Sequence, residues 1–62
     1  MYTKIKTKDG RIEGFRTQQY ITGLYLIIND DPAKQMTVTD KTEEQFHKDI
    51  REMKDIEIIE QY

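Results

Sequence analysis

The apolar positions of the chain fall into short runs separated by turn residues, and the spacing inside each run predicts its element. Residues 2 to 8, Tyr-Thr-Lys-Ile-Lys-Thr-Lys, are rich in β-branched side chains. They lead into Asp9-Gly10, a hairpin signal because glycine reaches positive φ without steric cost. A second strand is expected from Arg11 to about Thr17, and Gly14 inside it predicts a kink or a close approach to the backbone. Tyr20 to Ile28 is the most apolar stretch. Read with period two as one strand, it sets Tyr20, Leu24, Leu26 and Ile28 on one face and Ile21, Tyr25 and Ile27 on the other. A strand apolar on both sides is usually central in its sheet and covered twice. Asn29-Asp30-Asp31-Pro32 is a turn by chemistry, since Asx side chains bond nearby backbone and Pro presets φ; Gln35 to Thr39 then reads as a short strand carrying Met36 and Val38.

The periodicity changes after Asp40. Thr42 with Gln45 fits a capping box, and Asp40 with Glu43 offers an alternative start with an acid in the positive first turn. Phe46, Ile50 and Met53 recur at intervals of four and three, which predicts one buried stripe on a helix of about three and a half turns. Glu44, Lys48, Arg51, Glu52 and Asp55 occupy the opposite, solvated face. Ile56 to Gln61 closes the chain as a strand. The expected order is β-β-β-β-α-β: a single α+β domain over residues 1–62, with a small, mostly antiparallel sheet and one helix packed on one face.

Size limits what such a chain can bury. A domain of 62 residues hides only about 60% of the surface its unfolded form exposes, so its core is small. There is no run of the roughly 18 apolar residues that a membrane helix needs, and Met-Tyr-Thr-Lys lacks the apolar stretch of a signal peptide. No cysteine is present, so disulfides and thiolate metal sites are excluded, in keeping with a cytoplasmic protein. Nine Ile and seven Lys against one Ala and one Val are what AT-rich codons favour; a low-GC bacterium, its phage or another mobile element is the expected source. Met1 and the lack of a tag point to a complete, very short reading frame.

Catalysis has few parts to draw on. Ser and Cys are absent and His47 is the only histidine, so no nucleophile–base set of the usual kind can be assembled, and the expectation is a protein that is not an enzyme. His47, beside the Phe46 stripe, reads as an imidazole at the core boundary hydrogen bonded to Glu43. One His without Cys does not suggest zinc, and Asn29, Asp30 and Asp31 lack the loop spacing of a calcium site. Gly10 and Gly14 precede no helix and form no phosphate-binding loop. No metal and no cofactor are expected.

Charge is unevenly distributed. Residues 1–16 carry Lys4, Lys6, Lys8, Arg11 and Arg16 against Asp9 and Glu13, net +3; residues 17–39 carry −1; residues 40–62 carry four bases against eight acids, net −4. The basic set could track a nucleic-acid backbone while Tyr20 or Tyr25 stacks on bases, and nucleic-acid binding is kept as the alternative function. Lysines along a strand also protect a sheet edge from pairing, and the acidic whole repels phosphates. The acids of residues 43–60 could imitate a phosphate array, but Lys48, Arg51 and Lys54 are interleaved with them, which favours an ordinary solvated face.

Thr7-Lys8-Asp9-Gly10-Arg11-Ile12-Glu13-Gly14 resembles the strand-turn-strand opening of Sm-like RNA-binding barrels. The resemblance covers under half of the chain, its glycine spacing is one residue short, no second Sm motif follows, and the helix lies near the C-terminus instead of opening the fold. No binding residues are carried over from it.

One helix covers only one face of a sheet. Phe15, Ile21, Tyr25 and Ile27 are expected on the face left bare, a contiguous apolar patch of the kind that marks an interface. The expected function is therefore a small noncatalytic interaction module that regulates or inhibits a larger macromolecule. Phe15, Tyr20, Tyr25 and Ile27 are the expected anchors, and the partner is another protein or a second copy of the chain.

Overall fold

The computed structural model describes residues 1–62. β1 (Tyr2–Thr7) and β2 (Ile12–Ile21) form the first hairpin, with Gly10 at φ 89° in the turn, as the Asp9-Gly10 pair predicts. The Thr7 hydroxyl donates to the Asp9 carboxylate and accepts from the Arg11 amide at 3.0 Å, which closes the turn. The second turn is Thr22-Gly23, and β3 (Leu24–Asn29) returns antiparallel to β2. β2 is thus ten residues long and ends at Ile21, where a strand from 20 to 28 was expected. Gly23 at φ 80° makes the reversal possible; a single glycine inside an apolar run acted as a turn residue rather than as part of a continuous strand. Tyr20 is the extra residue of a bulge, since Gln19 pairs with Tyr25 and Ile21 with Leu24.

The Asn29-Asp30-Asp31 turn forms as its chemistry dictates. The Asp31 amide donates to Asn29 Oδ1 at 2.7 Å and the Ala33 amide to Asp31 Oδ1 at 2.9 Å. β4 (Thr37–Thr39) is a short edge strand on β3, and β5 (Ile56–Gln61) forms the other edge on β1, with Ile59 bulged out between the Ile5–Ile58 and Lys4–Glu60 pairs. The order across the open, wholly antiparallel sheet is β4-β3-β2-β1-β5.

α1 (Glu43–Arg51) carries the chain from one edge strand to the other. Thr42 caps it, accepting the Gln45 amide at 3.2 Å; Glu43 and Glu44 sit in the first turn and Lys48 and Arg51 in the last, each sign matching the helix dipole. The helix spans nine residues, shorter than the expected three and a half turns. The Glu52 amide splits between the Lys48 and Asp49 carbonyls, the Met53 amide bonds back to Ile50 at 3.1 Å, and the chain then turns to begin β5 at Ile56.

The register decides which face the helix covers. Thr3 and Ile5 on β1 stand opposite Phe15 and Glu13 on β2, Thr17 opposite Ile27, and Ile5 opposite Ile58 on β5. Thr3 and Ile5 are buried, as are His47 and Ile50 of α1, so the core lies between this face and the helix. Phe15, Tyr25 and Ile27 therefore share the helix-bearing face, against the expectation that it would be bare. The uncovered face carries Leu24, Leu26 and Ile28 instead, together with Ile21, which the turn at Thr22-Gly23 brings into the same phase as Leu24.

Burial is sparse. Five of 62 residues are buried, and the accessible surface of 4625 Å² exceeds the roughly 4,250 Å² expected for a compact protein of 7.5 kDa. The radius of gyration, 11.5 Å, also exceeds the roughly 10.6 Å expected at this length. The molecule is a slab of 35 × 26 × 17 Å with one helix on a five-stranded sheet. No helix is long and apolar enough to cross a membrane.

Candidate functional site

Four spacings of about 4.8 Å make a five-stranded sheet roughly 19 Å wide between its outer strands, whereas a helix with its side chains is about 10–12 Å across. A single helix leaves part of its own face uncovered. The uncovered part is an apolar cleft of about 400 Å³ between α1 and the sheet, with Ile5, Phe15 and Ile27 as its floor and Phe46, Ile50 and Met53 as its wall. Phe15 and Phe46 meet edge to face with ring centroids 6.2 Å apart, which fixes the angle between wall and floor. Met53, past the end of the helix, is 56% exposed.

The mouth of the cleft is polar. Glu13 forms an ion pair with Lys34 and accepts a long bond, 3.5 Å, from the Asn29 amide. The Lys34 hydrogen bond holds the Glu13 carboxyl below its ordinary range. On the helix flank Lys41 pairs with Asp49 at 2.7 Å, and Gln45 donates to the same carboxylate, lowering Asp49 and raising Lys41.

Behind the cleft a polar network ties both chain ends to the helix. His47 Nδ1 lies 2.6 Å from the Thr3 hydroxyl, Gln61 donates to that hydroxyl at 2.9 Å, and Arg51 donates to Gln61 at 2.9 Å. The N-terminal ammonium pairs with Glu43. His47 is fully buried with Thr3 as its side-chain partner, not a boundary imidazole on Glu43: residue 47 points toward the β1–β5 half of the sheet, where Thr3 projects. Its Nε2 and the Thr17 hydroxyl have no protein partner, and desolvation lowers the His47 pKa.

The expected interface residues divide. Phe15 and Ile27 line the cleft, and Tyr25 lies on the same face near the start of α1, beside Gln19 and Glu43. Tyr20 sits in the bulge at the end of β2, 56% exposed and apart from the other three. Of the basic set, Lys4, Lys6 and Arg16 share one face of the sheet, while Lys8 and Arg11 lie at the first turn. Lys4 and Lys6 stand on the other face opposite Glu60 and Glu57, Arg16 opposite Tyr2, and Arg11 pairs with Asp9 at 3.0 Å; Lys8 is in the first turn. Tyr25 lies on the far side of the sheet from these lysines.

The sequence reading missed Phe46, Ile50 and Met53 as site residues, because a helix stripe facing a sheet is normally all core. The signal available was arithmetic: one helix is too narrow for five strands. Comparison with known proteins returns no match to a family model, to a curated protein or to a solved structure.

Proposed function

We propose that the protein is a small, noncatalytic, cytoplasmic interaction module that regulates or blocks a larger protein by holding one of its amphipathic helices in the cleft beside α1. The carrying observation is the apolar cleft of about 400 Å³ floored by Phe15 and Ile27 and left open by a helix too narrow for the sheet. The cleft is lined from all five strands, by Thr7 and Ile56 as well as Glu13, Ile27 and Thr37, and a second helix laid against it would extend the layer that α1 begins. Apolar residues spaced i, i+4 and i+7 would enter the cleft, as in other helix-in-groove complexes. Glu52 at the end of α1, within a half of the chain of net charge −4, favours basic residues bordering that apolar face.

Selection from a displayed random-peptide library against the immobilised protein tests this. Enriched sequences with helical apolar spacing and basic flanks, weakened at least about tenfold by Met53→Asp, support the reading. The absence of enrichment, or peptides indifferent to Met53→Asp, would overturn it.

A further inference from the structure

The cleft beside α1 has one charged lining residue, Glu13, which stands on β2 opposite Ile5. Its side chain is only 16% exposed. Both donors that reach it, the Lys34 ammonium and the Asn29 amide, converge on Oε1, and Oε2 has no hydrogen-bond partner in the protein. The carboxylate is ionised at neutral pH, since the Lys34 bond outweighs the desolvation that opposes it and holds the pKa below the ordinary range. An otherwise apolar cleft therefore carries half of a charged group unpaired.

We infer that Glu13 is the charged anchor of the cleft, and that the helix held there places an arginine on Glu13 Oε2. The inference rests on the reading of the cleft as a helix-binding site and assigns one contact within it. Solvent supplies the missing bonds of Oε2 while the cleft is open. A wholly apolar occupant would remove that solvent and strand an ionised oxygen, a cost that apolar contact does not return. An occupant with a cation at this point forms a charge-assisted bond instead. Lys34 does not make that cation redundant: it reaches in from the loop after β3, its side chain is 43% exposed, and an ion pair with so exposed a partner contributes little. Guanidinium suits the position better than ammonium, because it sheds water more readily beside apolar surface and its planar fork can bond Oε2 while Lys34 keeps Oε1. Apolar contacts with Phe15, Ile27 and Phe46 tolerate sliding, so the Glu13 pair sets the register of the helix in the cleft.

Parallel selections from one displayed random-peptide library, against the protein and against Glu13→Gln, test the inference. With the protein, the expected sequences show helical apolar spacing and an arginine at one fixed offset from it. With Glu13→Gln the apolar spacing persists, which shows that the variant is folded, and the arginine is no longer enriched. A synthetic peptide of the enriched sequence should bind the unaltered protein at least about tenfold more weakly once its arginine is replaced by glutamine, an arm that needs no protein variant. The same replacement should cost little further against Glu13→Gln. Peptides without a recurring arginine overturn the inference and leave the helix-binding reading standing, and so does an arginine still enriched on Glu13→Gln. Recovery of no peptide from either selection overturns both.

Discussion

The hydroxyl of Tyr2 donates to the Asp30 carboxylate directly over Gly14, and a Cβ on Gly14 would overlap both groups. The Asp30 amide also bonds to the Gly14 carbonyl at 2.9 Å, so the loop after β3 is held both to the middle of β2 and, across it, to β1. The close approach that a glycine inside a strand implies is realised here as a seat for a hydrogen bond between side chains. Gly14→Ala should cost about 1–3 kcal/mol in chemical denaturation, because neither neighbour can withdraw without losing the bond.

That bond pushes the Tyr2 pKa up to about 12 from its usual 10.0. The neutral phenol is the form the fold favours. Its contribution is complete below about pH 10 and is lost as pH rises from there through about 12. Ultraviolet titration should show one late-ionising tyrosine. Asp30→Asn should bring that tyrosine back toward 10 and remove its share of the alkaline loss of stability.

His47 produces a separate acid limb. Desolvation depresses its folded pKa below 6.5, opposed by Glu43 and reinforced by the N-terminal ammonium and Arg51. The unfolded chain therefore takes up the proton first. Stability is fully present above about pH 6.5 and falls as pH drops from there through the depressed folded pKa. His47→Leu should flatten denaturation midpoints over that window. It should leave the lower limb, where Asp9, Glu13 and Asp49 with their depressed values become protonated.

Local chemistry made much of this fold legible and left its faces undetermined. Asp9-Gly10, the Thr42 cap and the Asn29–Asp31 turn each depend on residues adjacent in sequence, and each formed where expected. Thr22-Gly23 did not stand out, since one glycine among apolar residues is equally consistent with a central strand interrupted by a bulge. Missing it reversed the phase of Ile21 relative to Tyr25 and Ile27. The helix could have packed on either face as far as periodicity goes. Thr3 settled the choice by meeting His47, 44 residues away, a contact that no local spacing encodes.

Ile50 reaches the floor of the cleft and is 6% exposed. Ile50→Ala should cost about 2–4 kcal/mol, a large share of what a domain this small retains, and should unfold much of the population near 37 °C by circular dichroism. Met53→Ala, at an exposed position, should cost under about 1 kcal/mol.

Oligonucleotides should bind poorly. Glu60 and Glu57 oppose Lys4 and Lys6, and the net charge of −2 repels phosphates at long range. Electrophoretic shifts at low salt with single and double strands should show no complex at micromolar protein; a shift lost on Lys4→Glu would restore the basic hairpin as a binding surface.

Occupancy of the half-open, helix-bearing face of the sheet by a partner helix is the proposed function. Its most direct test is chemical-shift mapping of the protein with a helical peptide obtained by selection. Perturbations at Phe15, Ile27, Thr37, Phe46 and Met53, with Ile21 and Leu26 unmoved, are the predicted result. Perturbations confined to Ile21, Leu24, Leu26 and Val38 would contradict it.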